Sequence, residues 1–215
     1  MAIATYAQLQ TAVANWLHRA DLSAQIPDFI MLAESRLNRT LDLRIMEVEA
    51  PLTATPGSRY LPLPDDMSSP IALWLEAWQP RQKLTNQLPE QMVVDAANTG
   101  LPVFWAIDNA QIAFQRPADQ AYALTFRYRR KFALSNVSPG NALLTQYPDV
   151  YLYATLLEAA PYLRDNPNVA LWQDRLRRAT VEIQANDAET RALAPLATEL
   201  AGMGRAGRRF NIFSG

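Results

Sequence analysis

The spacing of apolar residues changes period twice along this chain, and that change limits the fold more than any other feature. Tyr6, Leu9, Val13, Trp16 and Leu17 recur at steps of three and four, the spacing that places side chains on one face of an α-helix. Thr5 and Gln8 form a capping-box pattern at its start. Ile26, Phe29, Ile30, Ala33, Leu37 and Leu41 repeat the stripe in a second helix, with Glu34, Arg36, Asn38 and Arg39 mostly off it. A proline is tolerated in the first helical turn, so Pro27 puts that start near Ser23 to Pro27.

From about Arg44 to Leu134 the period is two. Met46, Val48 and Ala50 alternate with Glu47 and Glu49, and Tyr122, Leu124, Phe126 and Tyr128 alternate with Ala123, Thr125, Arg127 and Arg129. Each run predicts a half-buried strand with one wet face. Trp105 and Ile107 are set to face Ile112 and Phe114 across a hairpin turn at Asp108-Asn109. Prolines punctuate the region, and a short helix is expected around Pro89 to Ala97.

From Pro148 the helical period returns. VYLYATLLEAAPYL is apolar nearly all round, so this helix should be central and buried, with Pro161 kinking or ending it. Asn166-Pro167 should cap the next helix, whose stripe is Val169, Trp172, Leu176, Ala179 and Ile183. Regular structure should stop after Gly202. The fold class is therefore α+β. N- and C-terminal helices (1–43 and 136–201) form a helical bundle, a small antiparallel β lobe (44–135) is inserted between them, and residues 202–215 form an extended tail.

The chemistry on offer is thin. There is no cysteine and a single histidine, His18, at the end of the first helix, where a cation suits the helix dipole. Thiolate nucleophiles and Cys-based zinc sites are excluded, and serine–histidine systems lose most of their options. No glycine-rich phosphate loop is present. Asp65-Asp66 reads as a solvated turn and Glu47/Glu49 as the wet face of a strand, so no catalytic, cofactor or metal residue is assigned. A formal net charge of −1 argues against wholesale DNA binding. No apolar run is long enough to cross a membrane, and the N-terminus lacks a signal-peptide pattern.

Contact surface is better supplied. Lys83 and Lys131 are the only lysines; every other basic side chain apart from His18 is arginine, the cation favoured in interfaces. The lobe carries Trp74, Trp78, Trp105, Tyr60, Phe104 and Phe114, more aromatics than so small a lobe is expected to bury. Arg127, Arg129, Arg130 and Lys131 read as a basic strand edge, which either resists edge-to-edge pairing or meets an acidic partner. Arg175, Arg177 and Arg178 read as a solvated helix face or an inter-subunit clasp. The last residues, GRAGRRFNIFSG, combine Arg205, Arg208 and Arg209 with Phe210, Ile212 and Phe213 and no acidic residue.

Residues 26–67 resemble the head–tail adaptor (connector) proteins of tailed bacteriophages. The features are Ile-Pro-Asp-Phe-Ile at Ile26 to Ile30, Glu34 followed by Arg36-Leu37-Asn38-Arg39, Met46-Glu47, and a Leu-Pro-x-Asp-Met turn ending at Met67. The closing Arg208-Arg209-Phe210-Asn211-Ile212 is similar to the tails of these proteins, and the resemblance extends to the order of elements along the whole chain. The resemblance implies a structural protein of the virion neck, built in the host cytoplasm. Its partners would be the portal protein, a tail nozzle or tail-tube protein, and further copies of itself in a ring of about twelve. DNA would pass through without sequence-specific contact. The tail residues Arg205, Arg208, Arg209, Phe210, Ile212 and Phe213 would dock on the portal. Arg127, Arg129, Arg130, Arg175 and Arg178 would serve inter-subunit or tail-side contacts. A carboxylate-dependent hydrolase and an arginine-rich nucleic-acid-binding regulator are the alternatives.

Overall fold

The computed structural model describes residues 3–77, 80–163 and 167–206, with side chains described through residue 191. It is α+β and divides into two compact units. One is discontinuous, formed from the residues up to Arg44 and those from Ala133 onward; the other is Ile45–Phe132.

In the discontinuous unit, α1 (Tyr6–Leu17) opens with the capping box predicted from Thr5 and Gln8. The Gln8 backbone N–H donates to the Thr5 hydroxyl, and the Gln8 side chain accepts from the Thr5 N–H. Tyr6, Leu9 and Val13 are buried, whereas Trp16 stays half exposed, edge-on to Tyr153 with ring centroids 5.9 Å apart. His18 closes the helix through its backbone, in the left-handed region at φ 52°. Pro27 lies in the first turn of α2 (Ile26–Thr40). Its apolar stripe is buried as expected, and Glu34 is buried with it. That corrects its placement off the stripe. Position 34 follows Ile30 by four and precedes Leu37 by three, so it faces the core.

Two short features of this unit differ from the sequence reading. A five-residue helix, α3 (Ala142–Gln146), precedes the long one, started by the Asn141 side chain, which accepts from Leu144 N at 2.8 Å. Next, α4 (Pro148–Leu163) carries Pro161 inside it without ending there. As expected, α4 is buried on most of its surface, and it packs with α1, α2, α3 and α5. The last helix, α5 (Val169–Ala206), buries Trp172, Leu176 and Ile183. It continues through Gly202 and Gly204, contrary to the expected stop after Gly202. Each glycine costs about 1 kcal/mol in a helix, but alanine, leucine, methionine and glutamate around them are strong helix formers. The proposed Asn166 cap lies outside the described residues.

The continuous unit is a seven-stranded sheet in the order β1-β7-β3-β4-β5-β6-β2. Its strands are β1 (Glu47–Thr53), β2 (Tyr60–Pro62), β3 (Met67–Leu75), β4 (Gln82–Asn86), β5 (Phe104–Asp108), β6 (Gln111–Phe114) and β7 (Ala123–Arg130). Register follows the alternation: Val48, Ala50 and Leu52 lie opposite Tyr128, Phe126 and Leu124, all turned to one core. Trp105 is edge-on to Phe126, which stacks on Tyr128.

The lobe is not wholly antiparallel, because β4 and β5 pair in parallel. Residues 87–103 between them form the long crossover that a parallel pair requires. Only Pro89–Gln91 of the helix expected there turns, as 3-10 helix. The hairpin turn is also displaced. Asp108 pairs with Gln111, and the two turn residues are Asn109 and Ala110, both at positive φ. That is the type I′ geometry whose twist matches the flanking strands.

Candidate functional site

Two polar assemblies stand out, one in each unit. In the helical unit Glu34 is buried at 8 % exposure. The Tyr151 hydroxyl donates to its Oε1 at 3.1 Å, and the Leu134 backbone N–H donates to the same carboxylate. Asn141 Nδ2 donates in turn to the Tyr151 oxygen at 2.6 Å. Burial outweighs these bonds and pushes the Glu34 carboxyl up to about 7. Burial, then the adjacent Glu34 carboxylate, drives the Tyr151 phenol far above its usual range. The residues that carry the adaptor resemblance here are therefore held in the fold. Ile26, Phe29, Ile30 and Leu37 are core, and Arg36 bonds Glu158 on α4 at 2.7 Å.

In the lobe the sheet face opposite the core carries a row of alternating charge. Arg127 on β7 pairs with Glu47 and, at 3.9 Å, with Glu49, both on β1. Arg81 lies 3.8 Å from Glu49 and 3.7 Å from Glu76, with its guanidinium 4.4 Å above the Trp74 ring. Glu47 and Glu49 therefore answer arginines. Asp66 also differs from the solvated-turn reading. It accepts from the Tyr128 hydroxyl at 2.8 Å, while its backbone carbonyl accepts from the Lys131 N–H at 2.7 Å. Burial, with Asp66 second, pushes the Tyr128 phenol up to about 12.

The arginines singled out in the sequence fall in different settings. Arg127 and Arg129 are not on a strand edge: β7 lies between β1 and β3. Alternation of side chains showed a wet face, but only pairing decides which strand is outermost. Arg127 and Arg129 are half-buried, while Arg130 and Lys131 are exposed at the strand's end. On α5, Arg177 and Arg178 both pair with Asp174, at 3.2 and 2.8 Å, and Arg175 is exposed. Arg205 falls within the last turn of α5. Arg208, Arg209, Phe210, Ile212 and Phe213 lie outside the described residues, as does Trp78. Of the other lobe aromatics, Trp105 and Phe114 are buried, Trp74 and Phe104 half-buried, and Tyr60 exposed with Arg59 over its ring.

Two roles escape the sequence reading. Glu34 is legible from its helical phase, as above. Gln115 is not: its buried side chain accepts from the backbone N–H groups of Val103 and Phe104, at 3.1 and 2.7 Å, and fixes the entry to β5. Among the described residues no group of carboxylates or histidine is arranged to hold a metal. No described helix is long and apolar enough to cross a membrane.

What remains is an arginine-rich surface on two compact units. Residues 4–199 match the family model described as SU10 adaptor protein. The chain belongs to the SU10 adaptor protein family. These are phage head–tail adaptors, as the resemblance of residues 26–67 implied. No curated protein matches the chain. As a family of structural proteins, SU10 adaptors imply a component of the virion neck that meets portal and tail proteins.

Proposed function

We propose that this SU10 adaptor family member forms a ring under the portal, carries the DNA channel onward and offers its far side to the tail. The family match across residues 4–199 supports this reading most directly. In it, the chain works as scaffold and joint rather than as catalyst. The helices of the discontinuous unit act as one bundle, and about twelve copies close a ring through two different complementary faces. A near-neutral chain suits a conduit, since a strongly basic lining would hold DNA rather than pass it.

Portal docking is assigned to Arg205, Arg208, Arg209, Phe210, Ile212 and Phe213. Arginines bond carboxylates or carbonyls in two places at once, and each buried aromatic contributes about 1.5–3 kcal/mol. Arg130 and Arg175, exposed and at the end of a strand and on a helix face, are offered to neighbours or to the tail. Arg178 joins them although Asp174 already holds it, because one surface ion pair is readily exchanged for another. Arg127 and Arg129 are proposed to support that surface from within the sheet.

The test is to mix purified protein with portal rings and image the particles. Full-length chain is expected to add a ring to the portal; chain lacking residues 207–215 should fold with an unchanged Tm and fail to bind. Undiminished binding of the truncated chain would move the anchor to the helical unit. Absence of any ring with full-length chain would overturn the reading as a whole.

A further inference from the structure

The Glu34 network joins three stretches of the helical unit that are far apart in sequence. α2 supplies the carboxylate and α4 supplies Tyr151. The stretch that follows the lobe, residues 133–141, supplies Leu134 N–H at one end and the Asn141 side chain at the other. That stretch is poorly held otherwise. From Ser135 to Gly140 every residue is exposed, and Val137 at its tip is 96 % exposed. Its remaining fastenings are Leu134, which is buried, the Pro139 carbonyl, which accepts from Tyr6 N–H at 2.6 Å, and the Ser135–Ser138 turn. Asn141 has a second duty, since it also caps α3.

We infer that Glu34 is a proton-dependent latch: as a neutral acid it holds the returning stretch and the start of α3 in place, and on ionising it lets that stretch open. The physical reason is that, among the described residues, Glu34 is paired with no cation: its partners are Tyr151 and the Leu134 N–H. From α4 the Tyr151 hydroxyl donates to it, and Glu158 of the same helix is taken by Arg36. Residues 133–141 carry no ionisable side chain. Tyr6 is the ionisable group of α1, and α2 itself brings Asp28, Arg36 and Arg39 besides Glu34. A buried carboxylate supported only by a phenol and one backbone N–H is poorly compensated, whereas an opened stretch would hydrate it. Closing therefore favours the proton and opening favours its loss. The raised ionisation of Glu34 is what this geometry produces.

Amide hydrogen exchange on the full chain reads the latch directly. After correction for the intrinsic pH dependence of exchange, protection of residues 134–144 should fall roughly ten- to thirty-fold between pH 5.5 and 8. Amides in the middle of α4 should stay better protected than residues 134–144 at every pH, falling only as far as global stability falls. Glu34→Gln keeps the shape and hydrogen-bonding capacity of the neutral acid, and should abolish the fall. A wild-type chain without the fall, or a Glu34→Gln chain that keeps it, overturns the proposal. Should Glu34→Gln fail to fold, carbon-detected titration of the wild-type Glu34 carboxyl decides: a midpoint below about pH 5, in the ordinary range of an exposed glutamate, overturns the latch, and one between 6 and 8 sustains it.

Discussion

The two units place polar groups in opposite ways. The helical unit buries its most telling one. Glu34 sits among Ile30, Leu37 and Tyr151 with neutral partners, and its ionisation is displaced accordingly. The lobe keeps its core aromatic and aliphatic and lays its charges on the other sheet face, where Arg127 and Arg81 answer Glu47, Glu49 and Glu76. The difference follows from geometry. A strand sends alternate side chains to opposite faces, so charge and core separate without cost. A helix such as α2 also keeps an exposed side, where Met31 and Leu32 lie, but its stripe is set by phase, and a polar residue in phase with the stripe is carried inside.

The contrast is broken most severely from the lobe's core. Phe126→Ala removes the ring that meets both Trp105 and Tyr128 and should cost about 3–5 kcal/mol, read by urea unfolding of the full chain. A cost under about 1 kcal/mol would mean the core collapses around the gap.

The next effect tests the helical unit through pH. The Glu34 carboxyl binds its proton more tightly in the folded chain than in the unfolded one, where 4.5 is the ordinary value. Its stabilisation is thus full below pH 4.5 and is lost as pH rises towards 7. The loss amounts to about 3 kcal/mol at most. Denaturant midpoints across pH 4.5–8 should decline for the wild type more than for Glu34→Gln, with the difference levelling off above pH 7.5. Parallel declines in the two proteins would exclude Glu34 as the source.

These two cases also show how far the sequence can be read. The alternation of β7 is visible residue by residue, and that alternation alone puts Phe126 inside the lobe. Glu34 falls outside a stripe drawn by hydrophobic type and inside one drawn by helical phase. Gln115 carries no signal at all, since a glutamine that accepts from Val103 and Phe104 looks like any surface glutamine until the crossover is built.

Smaller effects sharpen the lobe's side of the comparison. Arg127→Ala leaves Glu47, whose side chain is 15 % exposed, without its arginine, and should cost about 1–2 kcal/mol in thermal unfolding. Arg130→Glu with Lys131→Glu changes two exposed positions and should stay within about 0.5 kcal/mol. Loss of ring formation on the portal by that pair, with Tm intact, would assign the strand end to assembly. Smallest of all is Arg177→Ala: Arg178 still holds Asp174, so a shift above about 0.5 kcal/mol would contradict a solvated pair.

The sequence by itself determined the succession of helical, strand-bearing and helical stretches, the capping of α1, the stripe of α5, the alternation of β1 and β7, and the buried character of α4. All of these are local, set by periods of two and 3.6, by the backbone limits of proline and by the side-chain cap of Thr5. Tertiary structure alone decided what depends on partners distant in sequence. It made β7 an interior strand, turned β4 and β5 parallel, gave Arg127 its two glutamates, and set Leu134 and Tyr151 on Glu34. A residue's period says which way it faces. What it meets there is fixed only when the rest of the chain has closed over it, because burial and the reach of a hydrogen bond are properties of position in space.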